Sequence, residues 1–181
     1  MQDRPFTIRP LTAADAVAFR HVRLEALARH PEAYGSTLSD WSGRPNGAFV
    51  ARLEQGTVFG LWTGRGLEGT LAYAREAGGN TRHRATITTL YLRERLRGQG
   101  GAEALMEAAI ARARADGVAQ LELTVAEGNA VARRFYARSG FEEVARLPRA
   151  LRVAGRDMDE ILLILRLDEP GSAPLSGPVP S

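Results

Sequence analysis

At 181 residues, with 44% hydrophobic and 25% charged side chains, the chain has ordinary globular composition and enough length for one domain with a real core. It contains no cysteine, which excludes disulfides, thiolate zinc sites and cysteine nucleophiles, and His21, His30 and His83 fall at no metal-ligand spacing, so no metal is expected. The net charge is only +3, no Arg/aromatic array points to nucleic acid, no apolar run could span a bilayer and no secretory signal is visible; a cytoplasmic protein without nucleic-acid or membrane partners is expected.

In chain order, Phe6 to Arg9 has the pattern of a first strand. Thr12 to Asp15 is a capping-box variant, a Thr cap three residues before a carboxylate. It opens a predicted helix to about Ala28, with Val17, Leu24 and Leu27 on the inner side, ended by Pro31. His30 to Asn46, with Pro31, Tyr34, Gly35, Trp41, Gly43 and Pro45, is the least regular part. Ala48 to Leu53 is a short helix or a strand. Thr57–Thr63 and Leu67–Arg75 are β-runs joined by the hairpin signal Gly64-Arg65-Gly66, and Gly78-Gly79-Asn80 marks the next turn.

The centre follows. Thr86 to Leu92 is a β-run rich in Ile, Thr, Leu and Tyr. It breaks into Arg97-Gly98-Gln99-Gly100-Gly101-Ala102, and a helix starts at once. Ala102, Leu105, Met106, Ala109, Ile110 and Ala113 form one apolar stripe, and Gly117 supplies a left-handed stop. Gln120 to Val125 alternates as a strand, Asn129 caps a ten-residue helical run, and Ser139-Gly140-Phe141 closes it. A short strand at Glu142–Arg146, a loop holding Pro148 and Gly155, and a last strand at Glu160–Leu167 complete a domain over 1–167. Residues 168–181, rich in Pro, Gly and Ser, are expected to be a disordered tail.

Strand, glycine turn and helix in that order build an anion site. The first N–H groups of the helix lack internal acceptors, the macrodipole adds positive charge, and glycines admit a phosphate close to the main chain. Arg93, Arg95 and Arg97 add cationic side chains. A Walker loop needs a Lys after its last glycine, and all 24 basic residues here are Arg. A dinucleotide fingerprint from Gly98 and Gly100 needs a third glycine where Glu103 stands. Two readings of the loop stay open on the residues alone. One is the pattern Arg-x-x-Gly-x-Ala, met by Arg97, Gly100 and Ala102; the other is a strand–helix turn with incidental glycines.

At these residues the chain resembles the GCN5-related N-acetyltransferases (GNAT), in which this loop binds the acetyl-CoA pyrophosphate. LELTVAEGNAVARRFYARSGFEEV is similar to the second motif of the same family, and the resemblance runs from Phe6 to about Leu167. It implies a mixed α/β fold: a mostly antiparallel sheet with a splayed parallel pair of strands, flanked by helices. It implies acetyl-CoA as co-substrate, with no metal, and transfer of the acetyl group by direct attack of a primary amine, on a small molecule, a peptide N-terminus or a protein lysine. A non-catalytic acyl-CoA-binding module is the alternative. A homodimer is possible in such a family, and all-Arg usage points to a GC-rich bacterial coding sequence.

Carried onto this chain, the resemblance implies that Arg97, Gly98, Gln99, Gly100, Gly101, Ala102 and Asn129 hold the cofactor, with main-chain groups of Leu90 and Leu92 along its pantetheine arm. A backbone N–H near Leu90 would stabilise the oxyanion, and Tyr136 would protonate the leaving sulfur. Tyr136 also sits at helical spacing with Ala132 and Phe135, as a packing residue would. The strand Thr86–Tyr91 carries no carboxylate, so Glu122, Glu68, Glu32 and Asp40 are the candidates for a base, each also readable as an ordinary surface charge. A base matters because an alkylamine of pKa ~10 is only about 0.1% neutral at pH 7.

Overall fold

The computed structural model describes residues 5–168. Twelve strands and α-helices follow in order among them: β1 (Thr7–Pro10), α1 (Ala16–Arg29), α2 (Leu38–Ser42), α3 (Asn46–Glu54), β2 (Thr57–Thr63), β3 (Gly66–Arg75), β4 (Arg84–Leu92), α4 (Gly101–Ala115), β5 (Gln120–Ala126), α5 (Ala130–Arg138), β6 (Glu142–Val153) and β7 (Arg156–Arg166). The expected tail at 168–181 lies, from residue 169 on, outside the described residues.

The strands form one sheet in the order β1-β2-β3-β4-β5-β7-β6. All neighbours run antiparallel except β4 and β5. Helices cover both faces, which is the expected mixed α/β architecture.

Period-two alternation sorts the strand residues to two cores. Phe59, Leu61, Leu71, Tyr73 and Ile87 pack with Leu105, Met106 and Ala109 of α4 and with Phe135 and Tyr136 of α5. Val58, Ala72 and Tyr91 pack instead with Phe19 and Val22 of α1 and Phe49 and Leu53 of α3. Phe49 is fully buried, edge-on to Phe19 at 6.2 Å and tilted to Trp41 at 5.2 Å.

Three expectations need correction. Val17 does not face inward; it is 57% exposed. Ala13–Asp15 is a 3-10 turn, so the α-helical stripe starts at Ala16 and runs through Phe19, Val22, Arg23, Ala26 and Leu27, which leaves Val17 on the outer side. The irregular segment also holds a real helix, α2, whose Thr37 accepts from the Asp40 N–H at 3.2 Å while Asp40 accepts from the Thr37 N–H at 2.7 Å.

The third correction concerns the end of the domain. Pro148 does not break the chain into a loop. β6 continues through it to Val153, and β7 starts at Arg156, not near Glu160. β6 is an edge strand, where a missing N–H costs nothing, and the pairing slips between Leu147 and Leu151 around the proline. Ala154 and Gly155, with φ of 49° and 77°, make the tight turn. Ion pairs of 2.6 Å join Arg146 to Asp159 and both Arg149 and Arg152 to Asp157 across the hairpin.

Candidate active site

β4 and β5 stay paired for only three residues, Arg84 to Thr86 against Gln120 to Glu122. Each then keeps its other partner: β4 pairs with β3 as far as Leu92, and β5 with β7 as far as Ala126. A fork therefore opens between them. At its base β4 bulges, with Thr89 at φ +54° and a register slip against Thr70 and Ala72. The Arg93 N–H donates to the Glu68 carbonyl at 3.0 Å, so antiparallel alternation turns the polar main-chain groups of Leu92 toward the fork. The Leu90 carbonyl faces the same way and accepts the Tyr34 hydroxyl at 3.4 Å.

The glycine loop stands at the end of β4. Gly98 and Gly100 have φ of +71° and +77°, and a Cβ at either would meet nothing within 4 Å, so the main chain lies open to a ligand. Gly101 serves packing instead: its Cβ would stand 2.9 Å from Leu61 Cδ1, so α4 could not sit this close to the sheet with a larger residue. Ala104 is the first amide of α4 with an acceptor in the loop, Gly100 O at 3.0 Å. The N–H groups of Gly101, Ala102 and Glu103 precede it and are the orphan donors of the helix start. Gln99 Nε2 donates to the Arg95 carbonyl at 2.7 Å and straps the loop.

Of the three arginines expected at the loop, only Arg97 is available there. It is half exposed, with His30 Nε2 at 3.3 Å and Glu94 at 4.0 Å as its contacts. Arg93 is bonded to Glu25 at 2.6 Å, and Arg95 is bonded to Glu68. Open glycines, orphan amides and one half-exposed guanidinium fit a diphosphate.

Tyr136 and Asn129 come from the other side of the fork. Tyr136 packs edge-on to Phe135 at 5.3 Å and Phe141 at 5.9 Å, and it is 9% exposed. Burial, with Tyr34 nearby adding to it, pushes its phenol well above the ordinary range, so the oxygen keeps its proton at neutral pH. No described group forms a hydrogen bond with that hydroxyl. Asn129 Oδ1 accepts from the Ala132 N–H at 3.1 Å, the expected cap of α5.

The expected candidates for a base are all occupied. Glu122 is bonded bidentately by Arg84, which holds its carboxyl low, and accepts from Gln120 Nε2 at 2.8 Å. Glu68 is no surface charge: it is fully buried and bonded to Arg95. Asp40 caps α2, and Glu32 stands 3.4 Å from His30 Nδ1.

Sequence reasoning passed over Glu25 and Arg23 and gave Tyr34 no role. Burial raises the Glu25 carboxyl, but bonds from Arg93 and from the Tyr91 hydroxyl at 2.8 Å outweigh it and hold the group low. Glu25, Arg29, Arg93, Glu94 and Arg95 line a cavity of about 440 Å³ beside the loop. Arg23 could have been found from spacing, since it lies four residues after Phe19 and four before Leu27 on the inner stripe.

Residues 16–141 match the model of the acetyltransferase (GNAT) family. The L-methionine sulfoximine/L-methionine sulfone acetyltransferase of Pseudomonas paraeruginosa is 31% identical over 159 residues, 82% of this chain and 91% of that one. The Salmonella typhimurium protein yncA, solved with its cofactor acetyl-CoA, superposes with a TM-score of 0.79 at 20% identity, covering 94% of this chain and 99% of its own. The ribosomal-protein-alanine N-acetyltransferase of Brucella melitensis superposes with a TM-score of 0.75 at 23% identity, covering 89% and 99%. At those identities the two solved structures speak for the fold alone.

Proposed function

The chain belongs to the acetyltransferase (GNAT) family, an acetyl-CoA-dependent N-acetyltransferase acting on an amine, and from that membership we propose how its residues divide the work. The domain is the whole of 1–167. The N–H groups of Gly101, Ala102 and Glu103, opened by Gly98, Gln99 and Gly100 and backed by Arg97, take the pyrophosphate. The fork-facing groups of Leu90 and Leu92 take the pantetheine arm as an added strand edge. Asn129 borders it from the start of α5. The observation that carries this reading is the fork itself, two parallel strands that part beside a glycine loop.

The co-substrate supplies an activated acetyl thioester, whose C–S bond breaks as the new C–N bond forms. The Leu90 N–H polarises the carbonyl where negative charge develops. Tyr136, kept protonated by burial, gives its proton to the departing sulfur. The amine surrenders one proton and the thiolate gains one, so the exchange balances with Tyr136 reprotonated from solvent. Direct attack follows from the absence of any cysteine to carry the acetyl group. The related Pseudomonas enzymes are named for amino-acid sulfones and sulfoximines, which supports a small amine as acceptor.

Calorimetry with coenzyme A tests the cofactor half. Wild type is expected to bind, and Gly100→Asp, which sets a carboxylate at a φ of +77° beside the orphan amides, is expected to lose most of that affinity. Unchanged affinity in Gly100→Asp overturns the loop assignment. Release of free coenzyme A over a panel of amines tests the transfer.

A further inference from the structure

Arg23 is a buried cation with no counter-ion. It projects from the inner face of α1, is 6% exposed, and forms no ion pair or hydrogen bond with any described residue. Its Nη1 is fully buried and unpartnered. Such a group is costly, because a charge removed from water needs an anion or acceptors to replace it. Its contacts are two ring faces, Tyr34 at 5.0 Å and Trp41 at 5.6 Å from the guanidinium carbon to the ring centres. Cation–π contact offsets part of the cost and leaves the N–H edge without acceptors. Burial disfavours its charge most; Tyr34 offsets part of that, and Arg52 of α3, another cation, adds to it.

The position ties this cation to the reaction end of the fork. Tyr34, whose ring faces Arg23, places its hydroxyl on the Leu90 carbonyl. The same tyrosine acts on Tyr136 from across the fork. One side chain thus spans from the unpaired guanidinium to the strand proposed to hold the thioester.

We propose that Arg23 binds the carboxylate of the acceptor, and that the acceptor class is therefore an amine that also carries a carboxylate, with α-amino acids as its simplest members. A planar guanidinium that stacks on aromatic rings and has no acceptor of its own can make a paired bond to a carboxylate. In an α-amino acid one carbon separates that carboxylate from the amine, so anchoring it beside Tyr34 leaves the nitrogen on the fork side. Free peptide N-termini and lysine side chains within proteins lack a carboxylate at that spacing and are disfavoured. The inference rests on the acetyl-transfer reading above and narrows its acceptor.

The test compares L-methionine sulfone with its carboxamide, which keeps the amine and the side chain and removes the negative charge. In wild type, kcat/KM for the acid is expected to exceed that for the amide by about 10²-fold, since a site built for a charged partner rejects its neutral analogue. Arg23→Gln is expected to bring the ratio within about threefold of unity by this same loss of discrimination, and Arg23→Lys to restore part of it. A wild-type ratio near one overturns the proposal whatever the variants do. So does an Arg23→Gln enzyme that loses both activities in equal proportion, as a merely structural arginine would. If wild type turns over carboxylate-free amines but neither sulfone, the proposal falls while acetyl transfer stands. If no amine of either kind is acetylated, the acetyl-transfer reading fails, and the proposal with it.

Discussion

The Tyr34 hydroxyl donates to the Leu90 carbonyl at 3.4 Å, across the mouth of the fork between β4 and β5. The bond is long for an O–H donor, and it occupies the main-chain group expected to receive the pantetheine arm. A pantetheine arm laid along that edge is expected to compete with the hydroxyl for the carbonyl. Tyr34→Phe is therefore expected to tighten coenzyme A binding, by up to about fivefold given a net hydrogen bond of about 1 kcal/mol or less. Titration calorimetry measures this directly. Weaker binding in the variant would mean that Tyr34 holds the strand in shape instead of competing for it.

Tyr136 gives an unusually clean separation of stability from chemistry. Its ring is packed between Phe135 and Phe141, while its hydroxyl has no described partner. Phenylalanine preserves the packing and removes only the proton. Tyr136→Phe is expected to leave the urea midpoint unchanged and to lower kcat by about 10²-fold, the lower range for loss of a positioned acid. An unchanged kcat at every pH from about 6 to 9 refutes the acid role and leaves Tyr136 as core.

The sequence revealed the centre of this fold better than its edges, for physical reasons. The glycine loop, the stripe of α4 and the cap at Asn129 are local devices whose spacing carries their geometry. β6 is different: Pro148 and Gly155 are local breakers, and only pairing with β7 makes the segment between them a strand. Burial of charge is likewise a tertiary outcome. Nothing in the neighbours of Glu68 along the chain announces that it lies fully inside a bulged hairpin, and the spacing of Arg23 on the inner stripe gives its burial but not the two rings it meets. Glu68 and Glu122 were hard to place for that reason, since Arg95 and Arg84 answer them from far along the chain, whereas Asp40 and Glu32 meet Thr37 and His30 close by in sequence.

Asp15 ties the start of α1 to β1. It accepts two bonds of 2.8 Å from Arg9 and one of 2.8 Å from the Thr12 N–H, and the Arg9 bond leads in holding its carboxyl at about 2. A folded-state value below the unfolded one contributes stability above pH ~4 that is lost as pH falls toward 2. Arg9 is solvent-exposed, so the contribution is about 1 kcal/mol or less after screening. Asp15→Asn is expected to cost that much in urea melts at pH 6, with wild type and variant converging by about pH 2. A gap that stays constant across that range would show that the side chain acts through shape and not charge.

Glu68 and Arg95 make an asymmetric pair. Glu68 is fully buried in the β2–β3 bulge, and its Oε2 has no hydrogen-bond partner, only Arg93 Nη1 at 3.7 Å. Arg95 is 44% exposed, and Arg93 keeps its own bonds to Glu25 whatever happens to Glu68. Removing the arginine leaves the buried carboxylate with only Arg93 at 3.7 Å and a long bond of 3.5 Å from the Thr63 hydroxyl; removing the glutamate releases an arginine that can turn to water. Arg95→Met is thus expected to cost about 3 kcal/mol, the low end for breaking a buried pair from one side. Glu68→Met is expected to cost about 1 kcal/mol or less, and the double variant to lie near the Glu68→Met value, because well-packed apolar replacements of a buried pair are often close to neutral. Urea denaturation of the three variants at pH 7 measures the difference. Equal losses for the two single variants would show that Glu68 reaches water in the folded chain and that the pair is an ordinary surface one.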